Sequence, residues 1–312
     1  MNLSTVLSLG QTALELGLIC SLTVLSLFLS YRMLNVCDLS TDGCFILGAA
    51  VGAAVALGGH PLLALPAAMG AGLCSGFVTA VLQTKMGVDS LLAGIIVNTG
   101  LYSVNIAVMG GASLLNLNKC DTLFTKLRDL LADTPLAGQY RLLAAAGAAV
   151  LTAGFLVLFL RTRLGLAIRA TGNNPDMVRA SSINPAFPTL VGLCVSGSIT
   201  ALSGCLLAQA QKSVDINIGS GMVTIALASL LMGQVFLGRG GMVSQAAGAI
   251  FGSVLFRLVY TVALRLNMPA FMLKLVSAGI VVLAISGPYL KKRLSQPGKR
   301  LSLGRKGGGR LC

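Results

Sequence analysis

A small set of polar and ionisable side chains stands inside long apolar runs: Glu15, Asp42, Asn98, Asn105, Gln234, Gln245, Arg257 and Lys274. At mid-bilayer an ionisable group costs at least ~2.5 kcal/mol on insertion scales, so each must face a partner, the bundle interior or a polar path. Two kinds of chemistry are open to such a set. The amides can hydrogen-bond between helices as structural glue, with Glu15 or Asp42 pairing with Arg257 and Lys274 reaching the outer interface. Alternatively, several of them line a route for a polar solute. Taken as a set they point to a lined pathway, with Asn98, Asn105 and Gln234 on it and Glu15, Asp42, Gln245 and Arg257 as further buried polar groups.

Catalysis finds little to work with. The sole histidine, His60, sits beside Pro61 in a predicted outer turn, no Ser/His/Asp set can be assembled, and no HExxH is present. The cysteines (Cys20, Cys37, Cys44, Cys74, Cys120, Cys194, Cys205, Cys312) are scattered singly, without metal-ligand spacing. Neither "QPGKR" (296–300) nor "GRKGGG" (304–309) fits a Walker A loop, so the chain is expected to hydrolyse no ATP itself, to be no enzyme, and to bind no cofactor or metal. A proton relay needs deep acids, and only Glu15 is placed to be one, which counts against self-powered transport.

The elements that must position these residues follow from composition. The 312 residues are 55% hydrophobic, with nine acids and no Trp, and the mean hydropathy is +0.87. Such a chain belongs in a bilayer. Apolar runs at 8–31, 42–58, 62–84, 90–110, 139–160, 187–208, 218–237, 241–264 and 269–290 predict an all-α polytopic membrane protein with about nine transmembrane helices, eight to ten being allowed by length. They form one permeation domain over 1–290. The Gly-rich runs 42–58 and 218–237 read as broken or re-entrant helices, where irregular backbone is tolerated only inside protein or along a polar path. "GFVTAVLQTKMGVDSLLAGIIV" (76–97) echoes "VLFRLVYTVALRLNMPAFMLKLVSAGIVV" (254–282), the pattern of an inverted repeat.

The formal net charge of +14 is localised rather than general. Lys291, Lys292, Arg293, Lys299, Arg300, Arg305, Lys306 and Arg310 crowd into 291–312 with no acid among them, a basic tail read as cytoplasmic, near anionic lipid and not a nucleic-acid binder. With nine spans the N-terminus is then outside. The connections near Arg32, Lys85, Arg161 to Arg179 and Arg239 fall inside and are richer in cations than the outer ones at Lys119, Lys126, Arg128, Lys212 and Arg265. The outer segment 111–138 is a candidate docking surface.

The most polar stretch of the chain's middle is "IRATGNNPDMVRASSINP" (168–185). Asn174-Pro175-Asp176 writes a helix start: a capping amide, Pro at the first helical position and an acid at the positive end of the dipole. "PDMVRASSI" supplies two turns with Met177, Val178 and Ile183 for an apolar surface, and Asn184-Pro185 stops it. A short helix therefore lies between the fifth and sixth spans, either as a connector or as a docking surface for a partner; periodicity leaves the two even.

"GLAIRATGNNPDMVRASSINP" (165–185) resembles the cytoplasmic loop of permease subunits of binding-protein-dependent ABC importers, the group of the branched-chain amino acid and ribose permeases. Ser182 stands where their Gly-Ile-Asn motif has Gly. "LNVCDLSTDGCFILGAAVGAAVA" (34–56), "LLAGIIVNTGLYSVNIAVMGGASL" (91–114) and "GMVTIALASLLMGQVFLGRGGM" (221–242) are similar to the branch often labelled tryptophan/tyrosine-type or uncharacterised amino-acid-type. The resemblance runs to about Leu290. It implies a pathway subunit for a small solute, an amino acid by branch, acting as a permease homodimer with a separate ABC ATPase that binds the ATP and an extracytoplasmic substrate-binding protein. It implies a coupling helix over Asn173 to Ile183 (Asn173, Asn174, Pro175, Asp176, Met177, Val178, Arg179, Ile183 within a loop at 162–186), with Arg169 and Arg179 as contacts to the ATPase. An ion-coupled carrier and a structural or regulatory membrane protein are the alternatives.

Overall fold

The computed structural model describes residues 3–265 apart from 119, 131–138, 183 and 239, together with the isolated positions 275, 278, 279 and 282. Helices α1 (Leu3–Leu27), α2 (Thr41–Leu57), α3 (Ala64–Thr84), α4 (Ser90–Val108), α5 (Leu123–Leu130), α6 (Tyr140–Arg161), α7 (Arg163–Asn173), α8 (Pro175–Ala180), α9 (Ala186–Gln211), α10 (Met222–Leu237) and α11 (Met242–Arg265) follow in order. α1 continues through a π-helical turn at Phe28–Met33. Two short strands, β1 (Leu114–Asn116) and β2 (Ser213–Asp215), pair antiparallel with Leu115 opposite Val214.

The reading of an all-helical membrane protein holds, but the count of nine spans does not follow. Six helices are long and apolar enough to cross a bilayer, Gly10–Met33, Ala64–Thr84, Ser90–Val108, Tyr140–Arg161, Ala186–Gln211 and Met242–Ala263, whereas Thr41–Leu57 and Met222–Leu237 are shorter. The predicted run at 269–290 with Lys274, the tail at 291–312, and Ile183 lie outside the described residues, isolated positions aside. On α4 and α6 large apolar side chains such as Ile95, Ile96, Val150 and Leu151 are exposed. A surface of that kind suits lipid and not water.

Two long helices, α1 and α9, run through the centre and pack on one another. Ser26 of α1 hydrogen-bonds Ser196 and Thr200 of α9, and Ser203 of α9 donates to the Ile19 carbonyl at 2.8 Å. Each central helix carries the other's hairpin: α2 and α3 pack on α9, α10 and α11 on α1. Lipid is as apolar as Leu, so close backbone approach rather than hydrophobic exclusion must hold these pairs. Gly72 of α3 and Gly197 of α9 meet face to face, and a methyl on either would run into the other's carbonyl.

α2 does not start at a membrane face. Cys44 donates to the Gly197 carbonyl at 3.3 Å, while Gly48 and Gly52 lie against Ala201 and Cys205. α2 therefore runs parallel to the second half of α9 and begins beside its middle. Its far end joins Ala208, Val214, Ile216 and Leu117 in a core beneath the strands. The two ends of α9 thus define two ends of the bundle: α7 and α8 at one, the paired strands β1 and β2 with α5 at the other.

Candidate functional site

Asp42, in the first turn of α2, faces the start of α10 across 179 residues of sequence. Gly221 donates its N–H to Asp42 Oδ2 at 3.0 Å and Val223 donates to Oδ1 at 2.8 Å. The carboxylate caps a helix other than its own, and it sits where the positive ends of two helix dipoles meet. Gly221 turns into α10 with φ 87°, a left-handed conformation that glycine adopts without a steric penalty. Both of these shorter helices, 17 and 16 residues long, begin at this one point.

α4 supplies the neighbouring amides. Asn105 is fully buried; its Nδ2 donates to the Gly43 carbonyl at 3.1 Å and its Oδ1 has no hydrogen-bond partner. A Cβ on Gly43 would lie 2.7 Å from Asn98 Oδ1, so Asn98 also abuts the first turn of α2. Of the three pathway candidates, the structure brings Asn98 and Asn105 together at the Asp42 junction. Gln234 stands apart: it lies twelve residues past Met222 along α10, about 18 Å at helical rise.

The expected pairing of Arg257 with Glu15 or Asp42 is not what forms among the described residues. Asp42 holds backbone N–H groups, and Glu15 Oε1 accepts from Gln11 at 3.3 Å. Arg257 donates to Cys20 Sγ at 2.9 Å and lies over the Tyr260 ring, its centroid 5.6 Å away. A thiol and a π-face serve in place of a carboxylate. Gln245 is half-buried rather than deep, in the first turn of α11, donating to the Gly240 carbonyl at 3.3 Å. Sequence reasoning passed over Asp38. It is 3% exposed, and its Oδ1 accepts from Ser40 N–H at 2.9 Å and Ser40 Oγ at 2.6 Å. The Asp-x-Ser spacing of an Asx-turn was the available signal.

The polar loop is a bent rod of two helices. The first, α7, was not anticipated: Thr162 caps it, accepting from Gly165 N–H at 3.3 Å. At Asn174 the chain breaks, and the Asn174 Oδ1 accepts from Asp176 and Met177 N–H, each at 3.1 Å, with Pro175 in the first turn. Arg179 pairs with Asp176 at 3.1 Å on the surface. Met177 is 69% exposed, but Val178 is 4% exposed and packs inward, so it belongs to the fold and not to a free apolar face. Arg169 and Asn173 are exposed. Ser182 adopts φ 59°, the left-handed region where Gly is favoured.

The rod is seated on both central helices. Ile168 is fully buried beside Leu34 and Gly192, and Gly172 lies against the Met33 carbonyl and Leu34 at the end of α1. From Leu34 the chain passes through Asp38 directly to Asp42. A displacement of the rod therefore has a short covalent and packed route to the junction.

Residues 11–285 match the family described as "Branched-chain amino acid transport system / permease component". The chain is 29% identical over 287 residues to the tyrosine transport system permease protein of Clostridioides difficile, covering 91% of this chain and 93% of that one. It is 26% identical over 253 residues to the ribose import permease protein of Escherichia coli (80% and 75% covered), and 25% identical over 221 residues to the galactose/methyl galactoside import permease protein of Salmonella typhimurium (70% and 63%). No solved structure gives a significant match.

Proposed function

The chain belongs to the family of branched-chain amino acid transport permease components, and we propose that it is the pathway subunit of an ATP-driven importer of an amino acid. Two copies form the pathway, a separate ATPase grips α7 and α8, and an extracytoplasmic binding protein docks at the end that carries β1 and β2. The protein sits in the bacterial plasma membrane with that end outside and the rod in the cytoplasm. An amino acid is favoured over a sugar because the tyrosine permease aligns over nearly the full length of both chains. The sugar permeases align over less.

The observation that carries this reading is the rod itself. It projects Met177, Arg169 and Arg179 outward while Ile168 fixes α7 to the bundle and α8, with Val178 buried, packs on α7. An exposed Met beside cations suits a partner groove, since Met adapts to irregular surfaces and the cations steer an acidic rim. ATP binding that favours one arrangement of the paired ATPases biases the permease through whatever those ATPases hold. Here the held element leads to the ends of α1 and α9, and through Leu34–Ser40 to the Asp42 junction.

Met177→Asp tests the assignment. The variant is expected to lose co-purification with its ATPase subunit while its thermal unfolding in detergent is unchanged. Retained association would refute the rod as the grip.

A further inference from the structure

At the end of the bundle that carries β1 and β2 a cavity of about 380 Å³ opens between α1, α5, α6 and the end of α9. Its wall carries one carboxylate, Glu15, and two cations, Arg141 and Lys212, over an apolar floor of Leu16, Ile19 and Phe124. We propose that this cavity binds a zwitterionic α-amino acid. The ammonium would lie at Glu15, the carboxylate at Arg141 and Lys212, and the side chain on the apolar floor. The proposal rests on the importer reading above, which puts this end where solute arrives.

The charges are the first argument. Opposite charges sharing one small cavity normally close on each other, yet the ion pairs among the described residues are Arg128–Asp129 and Arg179–Asp176. Glu15 accepts from Gln11 at 3.3 Å. Arg141 donates to the Tyr140 hydroxyl at 3.1 Å and lies 5.8 Å from that ring's centroid. Both signs are thus held apart around open space, an arrangement a zwitterion completes and a neutral sugar does not. Rigid, separated charges of opposite sign recognise both ends of such a ligand and leave an unpaired group when either end is missing.

The backbone is the second argument. Lys212 ends α9 at φ 54°, the left-handed conformation in which helices commonly terminate. Its carbonyl is tied down by the Leu117 N–H at 2.9 Å. One residue group earlier, Gln209 is fully buried and accepts the Leu123 N–H at 2.8 Å, which pins α5 to α9 and fixes Phe124 as part of the floor. This turn swings the chain from α9 into β2 and leaves Lys212 on the cavity wall.

The experiment is equilibrium binding to the full permease in nanodiscs, without ATPase or binding protein. The probes are radiolabelled L-tyrosine with unlabelled L-leucine, tyramine, N-acetyl-L-tyrosine and D-ribose as competitors. Saturable tyrosine binding is expected, displaced by leucine and not by the other three. Glu15→Gln and Arg141→Gln should each weaken it by about tenfold or more, the loss of one charge-assisted contact, with unchanged thermal unfolding. Displacement by ribose, binding insensitive to both substitutions, or no binding at all would overturn the proposal. So would a variant that keeps tyrosine binding and, in a separate pull-down with the binding protein, loses only that contact, because the cavity would then be a docking socket. Co-purification of the ATPase, measured on the same permease in detergent before the ATPase is removed for nanodisc assembly, separates the two failures: ATPase retained with no tyrosine bound sinks the cavity and leaves the importer reading, whereas loss of both sinks the reading.

Discussion

The Asp42 junction and the α7–α8 rod both concentrate polar groups, and they handle them in opposite ways. At the junction a carboxylate and two backbone N–H groups meet across the fold, with Asn105 buried behind them. In the rod the polar side chains that bond do so to a neighbour two to four residues away: Asn174 to the next turn, Arg179 to Asp176. The junction therefore depends on the whole bundle, and the rod depends mainly on itself. Polar groups satisfied locally leave their outer face free for a partner, whereas those satisfied at long range hold elements together.

Substitutions should reproduce that division. Asp42→Ala removes two charge-assisted hydrogen bonds and strands N–H groups at the start of α10. A loss of about 3 kcal/mol is expected in equilibrium unfolding, and Asp42→Asn should lose less because one acceptor remains. If Asp42→Ala unfolds like the wild type, the junction does not hold the two short helices. Within the rod, Val178→Asp buries a charge against α7 and should lower the unfolding temperature. Met177→Asp, one residue away, should not. Equal effects of the two would erase the contrast between the rod's inner and outer faces.

Asn174→Ala should cost about 1 kcal/mol, the usual worth of an N-cap, read as fraying of α8 by amide exchange with the rest of the bundle protected as before. Ser182→Gly is the smallest expected change. It relieves a left-handed non-glycine residue but frees the unfolded chain, so stability should rise by no more than about 1 kcal/mol.

These sites also mark what the sequence could and could not yield. The Asn174 start was legible because capping is local: the amide, the Pro and the acid are adjacent. α7 was missed although Thr162 with Gly165 three residues on offered a cap, since the apolar run of α6 continues to within a residue of it. Val178 read as free surface because its burial depends on where α7 lies. Asp42 was recognised as a costly residue, but its partners lie beyond position 220, and no periodicity links them. For Arg257 the expectation of an acid partner failed for the same reason, with Cys20 237 residues away taking that place.

The central claim is that the bundle carries no engine and is moved through the rod. The direct measurement is uptake of labelled L-tyrosine into proteoliposomes holding this permease, with and without its ATPase and binding protein. Uptake is expected only when ATP, the ATPase and the binding protein are all supplied, and it should fall to background with Met177→Asp. Accumulation by the permease alone under an imposed ion gradient would contradict the account.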